Sequence, residues 1–132
     1  MNRQLLNKKN VVVTLHTQVN YIHIEWIGFQ REQDIYDSGE EILRIFKGLD
    51  CHKVLNDNRR VLGPWNKAAG WTQDYWFPEM IKAGLAHFAW VFPENLFAEL
   101  SADQAMPDTE VVHKFKDYDA AEQWLKEMIV IV

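Results

Sequence analysis

Val54-Leu55-Asn56-Asp57-Asn58-Arg59-Arg60 leads into a tryptophan-rich segment that closes on Trp76-Phe77-Pro78-Glu79-Met80-Ile81-Lys82-Ala83-Gly84. Residues 51–56, Cys51 to Asn56, read as a short buried strand, weakly alternating and ending in polar residues. Asp57 to Arg60 then reads as a polar loop at that strand's end. Pro64 suits the first residue of a helix, where its missing N–H is harmless. Pro78 is expected to interrupt or restart that helix, and Ala83-Gly84 to close it. A strand, a loop and an aromatic helix in this order form the unit around which the remaining segments pack.

Upstream, Val11 to Gln18 and Tyr21 to Gly28 are rich in β-branched and aromatic residues and are separated by a polar break. Setting Thr17 opposite Ile22 puts Val11, Val13 and Leu15 on one face with Ile22, Ile24 and Trp26. Thr14, His16, His23 and Glu25 occupy the other face, expected to be open to water. A slip of one residue would exchange the faces, so their agreement supports a hairpin. Arg31 to Leu49 switches to helical spacing, with Ile35, Gly39, Ile42, Leu43 and Phe46 in one stripe and Gly48 at the stop.

Downstream, Leu85 to Phe92 is a strongly apolar strand and Pro93 to Leu100 a short covering helix. Glu110 to Phe115 is the last strand. Asp119 and Glu122 resemble a capping box that opens a helix carrying Ala121, Trp124, Leu125 and Met128. The order β-β-α-β-α-β-α-β-α predicts a single α/β domain over residues 1–132. Its sheet is mixed and mostly parallel, with about five strands, about four helices and an opening hairpin. Met1 to Asn10 is expected to be a frayed start.

Fourteen basic against 19 acidic residues give a net charge of −5, which argues against a nucleic-acid partner. No stretch reaches the roughly 18 apolar residues of a membrane span. The single cysteine, Cys51, excludes an intramolecular disulfide. A cytoplasmic setting is expected.

With the element order, the strand ending Leu55-Asn56-Asp57-Asn58 and the helix motif of Trp71, Trp76 and Pro78 followed by Ala83-Gly84-Leu85, the chain resembles STAS-like domains. These share the fold of the sporulation anti-sigma-factor antagonists; more narrowly, the chain is similar to the stand-alone SpoIIAA-like members. The resemblance covers Val11 to Leu125. It implies a non-enzymatic interaction or regulatory module that engages a protein partner through the loop after the third strand. The antagonist branch carries a phosphorylatable serine or threonine in an Asp-x-Ser context. Here Asp57 is followed by Asn58 and Arg59, so no phosphorylation switch is expected at that position.

The candidate binding residues are Asp57, Asn58, Arg59, Arg60 and Trp65. Two arginines beside a helix start can hold a phosphate or carboxylate, in the crevice where open α/β sheets bind ligands. Alternatively, Asp57 pairs with one of the arginines and simply orders the loop. At about 100° per residue, Trp65, Ala68, Ala69, Thr72 and Trp76 fall on one side, with Trp71 and Tyr75 at its margin. That side is read as core, the alternative being a pocket for a small apolar or anionic, lipid-like ligand between the arginines and the tryptophans. CRAL-TRIO lipid carriers have a related sheet-and-helix plan.

No cofactor or metal is expected. The five histidines are dispersed, and the hairpin register merely sets His16 opposite His23. Cys51 and His52 are neighbours on a strand and so face opposite ways. Ser38 and Ser101 lack a nucleophile-elbow context. A homodimer has two surfaces available, the hairpin's edge strand and the last helix.

Overall fold

The structure is a computed structural model and describes residues 2–130. They build a six-stranded sheet of β1 (Asn2–Asn7), β2 (Val11–His16), β3 (Tyr21–Gly28), β4 (Lys53–Val61), β5 (His87–Val91) and β6 (Val112–Phe115), side by side in chain order. β2 pairs antiparallel with β1 on one side and with β3 on the other; β3 through β6 run parallel. The mixed, mostly parallel α/β architecture is therefore as the sequence predicts, with one strand more.

That extra strand is β1. Leu5 and Leu6 pack against the core, a bulge at Leu5 fits them to β2, and Lys8 ties the following turn to Ser38 (3.0 Å) and Glu41 (2.8 Å). A strand with one solvated face carries a weak apolar signal, so the expected frayed start is an edge strand instead.

The hairpin register also needs correction. Leu15, not Thr17, lies opposite Ile22, and Thr14 rather than His16 lies opposite His23. Asn20 closes the turn in the left-handed region at φ 60, with its N–H on the His16 carbonyl at 2.9 Å. Tyr21 is thereby returned to the strand. A shift of two residues preserves both faces, and Val11, Val13, Ile22 and Ile24 are buried as expected.

Two layers of helix cover the sheet. One face holds α1 (Glu32–Lys47) and a rod at residues 66–82; the other holds α5 (Tyr118–Glu127). Along β4 the faces alternate, Val54 joining the first core and Leu55 the second, with Ala121 and Leu125. The rod begins as a 3-10 turn (Asn66–Ala68), becomes α2 (Ala69–Trp71), widens to a π-turn (Thr72–Trp76) and ends as α3 (Phe77–Lys82). It continues through Pro78, which stands in the first turn of α3, so the proline marks the restart that the sequence predicts. The Phe77 N–H reaches back five residues to the Thr72 carbonyl, so the helical ladder has already changed pitch where the proline has no N–H to give.

α4 (Leu96–Ala105) starts from an Asn95 cap and runs longer than expected. The cap of α5 is Asp117, which accepts from the Ala120 N–H at 2.8 Å, and not Asp119. Glu122 is thereby left for another partner. At the end of α3, Gly84 takes φ 109, a conformation open to glycine.

Candidate functional site

The stretch Asp57 to Arg60 is strand, not loop. β4 runs on to Val61 because β3 continues beside it. Glu25 pairs with Asp57 and Ile27 with Arg60, so β4 gains one residue on its neighbour in a bulge. The expected binding residues are thereby divided between the faces of the sheet. Asn58 and Trp65 line a cleft under the rod; Asp57 and Arg59 belong to the side covered by α5. Neither arginine lines the cleft, so a ligand held jointly by the arginines and the tryptophans does not fit this geometry.

The cleft lies between β3, β4, β5, α1 and the rod. Its walls include five indoles, Trp26, Trp65, Trp71, Trp76 and Trp90. Its cavity volume is about 40 Å³, room for a few waters at roughly 10–15 Å³ for the first. Trp65, Ala68, Ala69, Thr72 and Trp76 are buried as their helical spacing implies, and the half-buried Trp71 forms an outer wall between Tyr36 and Tyr75. Gly39 makes room for it. A Cβ there would stand 2.7 Å from Trp71 Cη2 and 3.3 Å from Trp76 Cδ1.

Gly39→Ala therefore displaces Trp71 outward. Overpacking costs about 1–3 kcal/mol, offset by about 1 kcal/mol of helix propensity. A net melting-temperature drop of roughly 3–5 °C is expected, with a tryptophan emission shift as the ring meets water.

The polar groups of the cleft are mostly consumed. The Trp26 Nε1–H donates to Asn56 Oδ1 at 2.9 Å and the Trp76 Nε1–H to the Gly39 carbonyl at 2.9 Å. Gln30 donates to the Asn10 and Ile27 carbonyls, and the Thr72 hydroxyl to the Ala68 carbonyl. Two donors remain. Trp65 Nε1 and Trp90 Nε1 are buried without a hydrogen-bond acceptor, although their rings stack at 6.3 Å and both line the cleft. Each such group costs about 1–3 kcal/mol while unpaired.

The other face carries a charged network. Asp57 is fully buried; its Oδ2 lies 3.0 Å from His23 Nε2, and Arg59 donates through Nε (2.9 Å), Nη2 (2.8 Å) and its backbone N–H (3.1 Å). Burial alone would raise the Asp57 carboxyl; the bonds from His23 and Arg59 outweigh it and hold the group well below the usual carboxylate range. Arg59 also lies 5.0 Å over the Tyr118 ring. The Tyr21 hydroxyl donates to Glu122 at 2.5 Å and meets the Tyr118 hydroxyl at 2.7 Å. Burial pushes the Tyr21 phenol up, and the bonds to Glu122 and Tyr118 add to that. His16, stacked on Tyr21, is lowered by burial and by the neighbouring His23. Arg60, exposed, reaches Glu25 at 3.8 Å. The polar hairpin face is thus half-buried, with Tyr118 and Glu122 of α5 reaching over to His23 and Tyr21, and Asp57 is paired with Arg59.

Sequence reasoning sets Trp90 and Phe92 on the strand beside the tryptophan-rich helix but leaves Trp90 out of the candidate binding residues, since an apolar strand signals burial and not a cavity. It also missed Asn56, Gln30 and the Tyr21–Glu122 bond, whose partners lie up to 101 residues apart. Among the described residues no group of three His, Cys, Asp or Glu is placed to hold a metal ion, and no helix is long and apolar enough to cross a membrane. No known family model matches the chain, and it has no significant match among curated proteins.

Proposed function

We propose that this protein is a non-catalytic domain that binds a small molecule in the tryptophan cleft. The observation that carries this reading is the pair of buried indole N–H groups, Trp65 and Trp90, left without acceptors in one cavity. Buried donors are almost always paired, and a bound acceptor would pair both. Ligand sites are apolar and aromatic with a few placed polar groups, which is the make-up of this lining. The π-turn that carries Thr72 and Trp76 into it is of a kind frequent at functional sites. No titratable side chain lines the cleft, so nothing there can act as a general acid or base. The STAS-like kinship and the cytoplasmic setting belong to the same proposal, supported by the element order and by Cys51 as a lone buried thiol.

Protein–protein contact is the second reading. Exposed Phe29 and Leu62 directly follow β3 and β4, exposed Leu96, Phe97 and Leu100 stand on α4, the element after β5, and Arg59 and Arg60 are exposed at the end of β4. Apolar side chains exposed at such exits are a common contact surface.

Native mass spectrometry of protein purified gently from its own host separates the two. A retained small mass, at reduced occupancy in Trp90→Phe, supports ligand binding. A retained protein, lost from a Leu62→Ser/Arg60→Glu variant and kept by Trp90→Phe, transfers the function to the surface.

A further inference from the structure

Resting on the ligand-binding reading, the lining also fixes the class of the ligand. Its unsatisfied groups are both donors. Trp65 and Trp90 can each give one hydrogen bond and accept none, because an indole N–H is donor only. A ligand must therefore bring lone pairs. One carbonyl oxygen has two of them, enough for both indoles.

Charge can be settled in the same way. The cleft holds no arginine, lysine or histidine, so a carboxylate or phosphate entering it would lose its hydration without gaining a counter-charge. Arg59 is on the α5 side and already paired with Asp57. A cation has the indole faces to attract it, as in aromatic cages. It finds no carboxylate in the lining, however, and it would leave the two N–H groups unpaired beside a positive charge. Of the remaining walls, Ile35, Val61 and Phe77 are apolar, and Asn58, whose Oδ1 accepts from Asn56 at 3.4 Å, adds a neutral amide. With about 40 Å³ of free space, the buried part of the ligand is compact, and further room comes only through movement of the half-buried Trp71.

We propose that the cleft binds small neutral carbonyl compounds with an apolar body, the carbonyl oxygen accepting from Trp65 and Trp90 Nε1–H. Ketones, lactones and tertiary amides have this chemistry; acids, amines and plain hydrocarbons do not.

The test is a titration of the full-length ¹⁵N-labelled protein, following its indole N–H resonances, with four probes of one ring size: cyclopentanone, cyclopentane, cyclopentanecarboxylate and cyclopentylammonium. Cyclopentanone is expected to bind and to move the Trp65 and Trp90 resonances downfield while that of Trp76, already bonded to Gly39, stays nearly still. Trp65→Phe and Trp90→Phe, each checked for a dispersed amide spectrum, are expected to weaken cyclopentanone binding about 3- to 10-fold, the worth of one neutral hydrogen bond. Binding of cyclopentane, the carboxylate or the ammonium as tightly as the ketone, with the same resonances moving, overturns the ligand class and leaves a small-molecule site. No movement with any probe, and cross-peaks from both indoles to water alone, overturns the class too. The native mass measurement then decides the wider reading independently.

Discussion

Trp90→Ala is expected to cost about 3–5 kcal/mol of stability, a large part of a typical domain's total. Trp90 is 1 % exposed and its ring meets Trp65, Phe77, Phe88 and Phe92 at centroid distances between 5.5 and 6.3 Å. Truncation removes a large apolar side chain from the middle of that aromatic stack and leaves a cavity that the sheet cannot close. Urea unfolding measures it as a fall in midpoint at nearly constant slope. Trp90→Phe should be far milder. It forfeits part of the buried area but also deletes a donor that has no acceptor in the ligand-free protein, and those effects oppose each other. A small stability change in Trp90→Phe combined with weaker retention of the bound molecule separates a ligand role for the N–H from a packing role for the ring. An equal, severe loss in both variants would mean that Trp90 serves packing alone.

Asp57→Asn has the second largest expected effect. The carboxylate receives three hydrogen bonds from Arg59 and lies against His23, so its replacement leaves a half-exposed guanidinium and an imidazole without their charged partner. Breaking such a buried pair costs about 2–4 kcal/mol at neutral pH, toward the lower end because Arg59 is partly in water. The sign of the pH dependence follows from the depressed carboxyl. Above its unfolded value near about 4 the group is charged in both states and its full contribution is present. As pH falls below that, the unfolded chain takes up the proton first and the contribution drains away toward the lower folded value. The stability gap between wild type and Asp57→Asn is therefore expected to narrow by about 1.3 kcal/mol on going from pH 7 to pH 3, and further below that. Glu122, also held low by its Tyr21 partner, keeps an acid limb in both proteins and cancels in the difference. Denaturant midpoints at several pH values check this. A gap that stays constant with pH would show that Asp57 works through shape alone.

Periodicity made much of the fold legible. The stripe Ile35, Gly39, Ile42, Leu43 and Phe46 is buried as one face of α1, and the two faces of the β2–β3 hairpin are correct although its register is two residues off. Alternation sets faces, whereas the turn sets register, and the left-handed Asn20 gives no sign of itself in a pattern of apolar residues. β1 was illegible because half of it is solvated. The extension of β4 was illegible because Asn56, Asp57 and Asn58 read as a loop until their partners are known. Trp26, His23 and Arg59 make those polar residues affordable inside a sheet, and two of the three stand on a neighbouring strand. Pro78 marks the restart at α3, but the π-turn ahead of it has no signature in composition.

The candidate site was only half visible. Trp65 and Asn58 do line the cleft, but the arginines beside Asn58 in sequence are absent from its lining and pair elsewhere. Adjacent strand residues point to opposite sides of a sheet, so a run that looks like one site divides once it is known to be strand.

An electron-density map of the protein isolated from its own host, at a resolution that shows ordered water, tests the cleft most directly. The expected map contains a compact molecule among Trp65, Trp71, Trp76 and Trp90, with an acceptor atom about 3 Å from the Trp65 and Trp90 Nε1 atoms. A cleft closed by side chains, with both indoles donating to protein carbonyls, or one filled by water alone, contradicts a ligand site here.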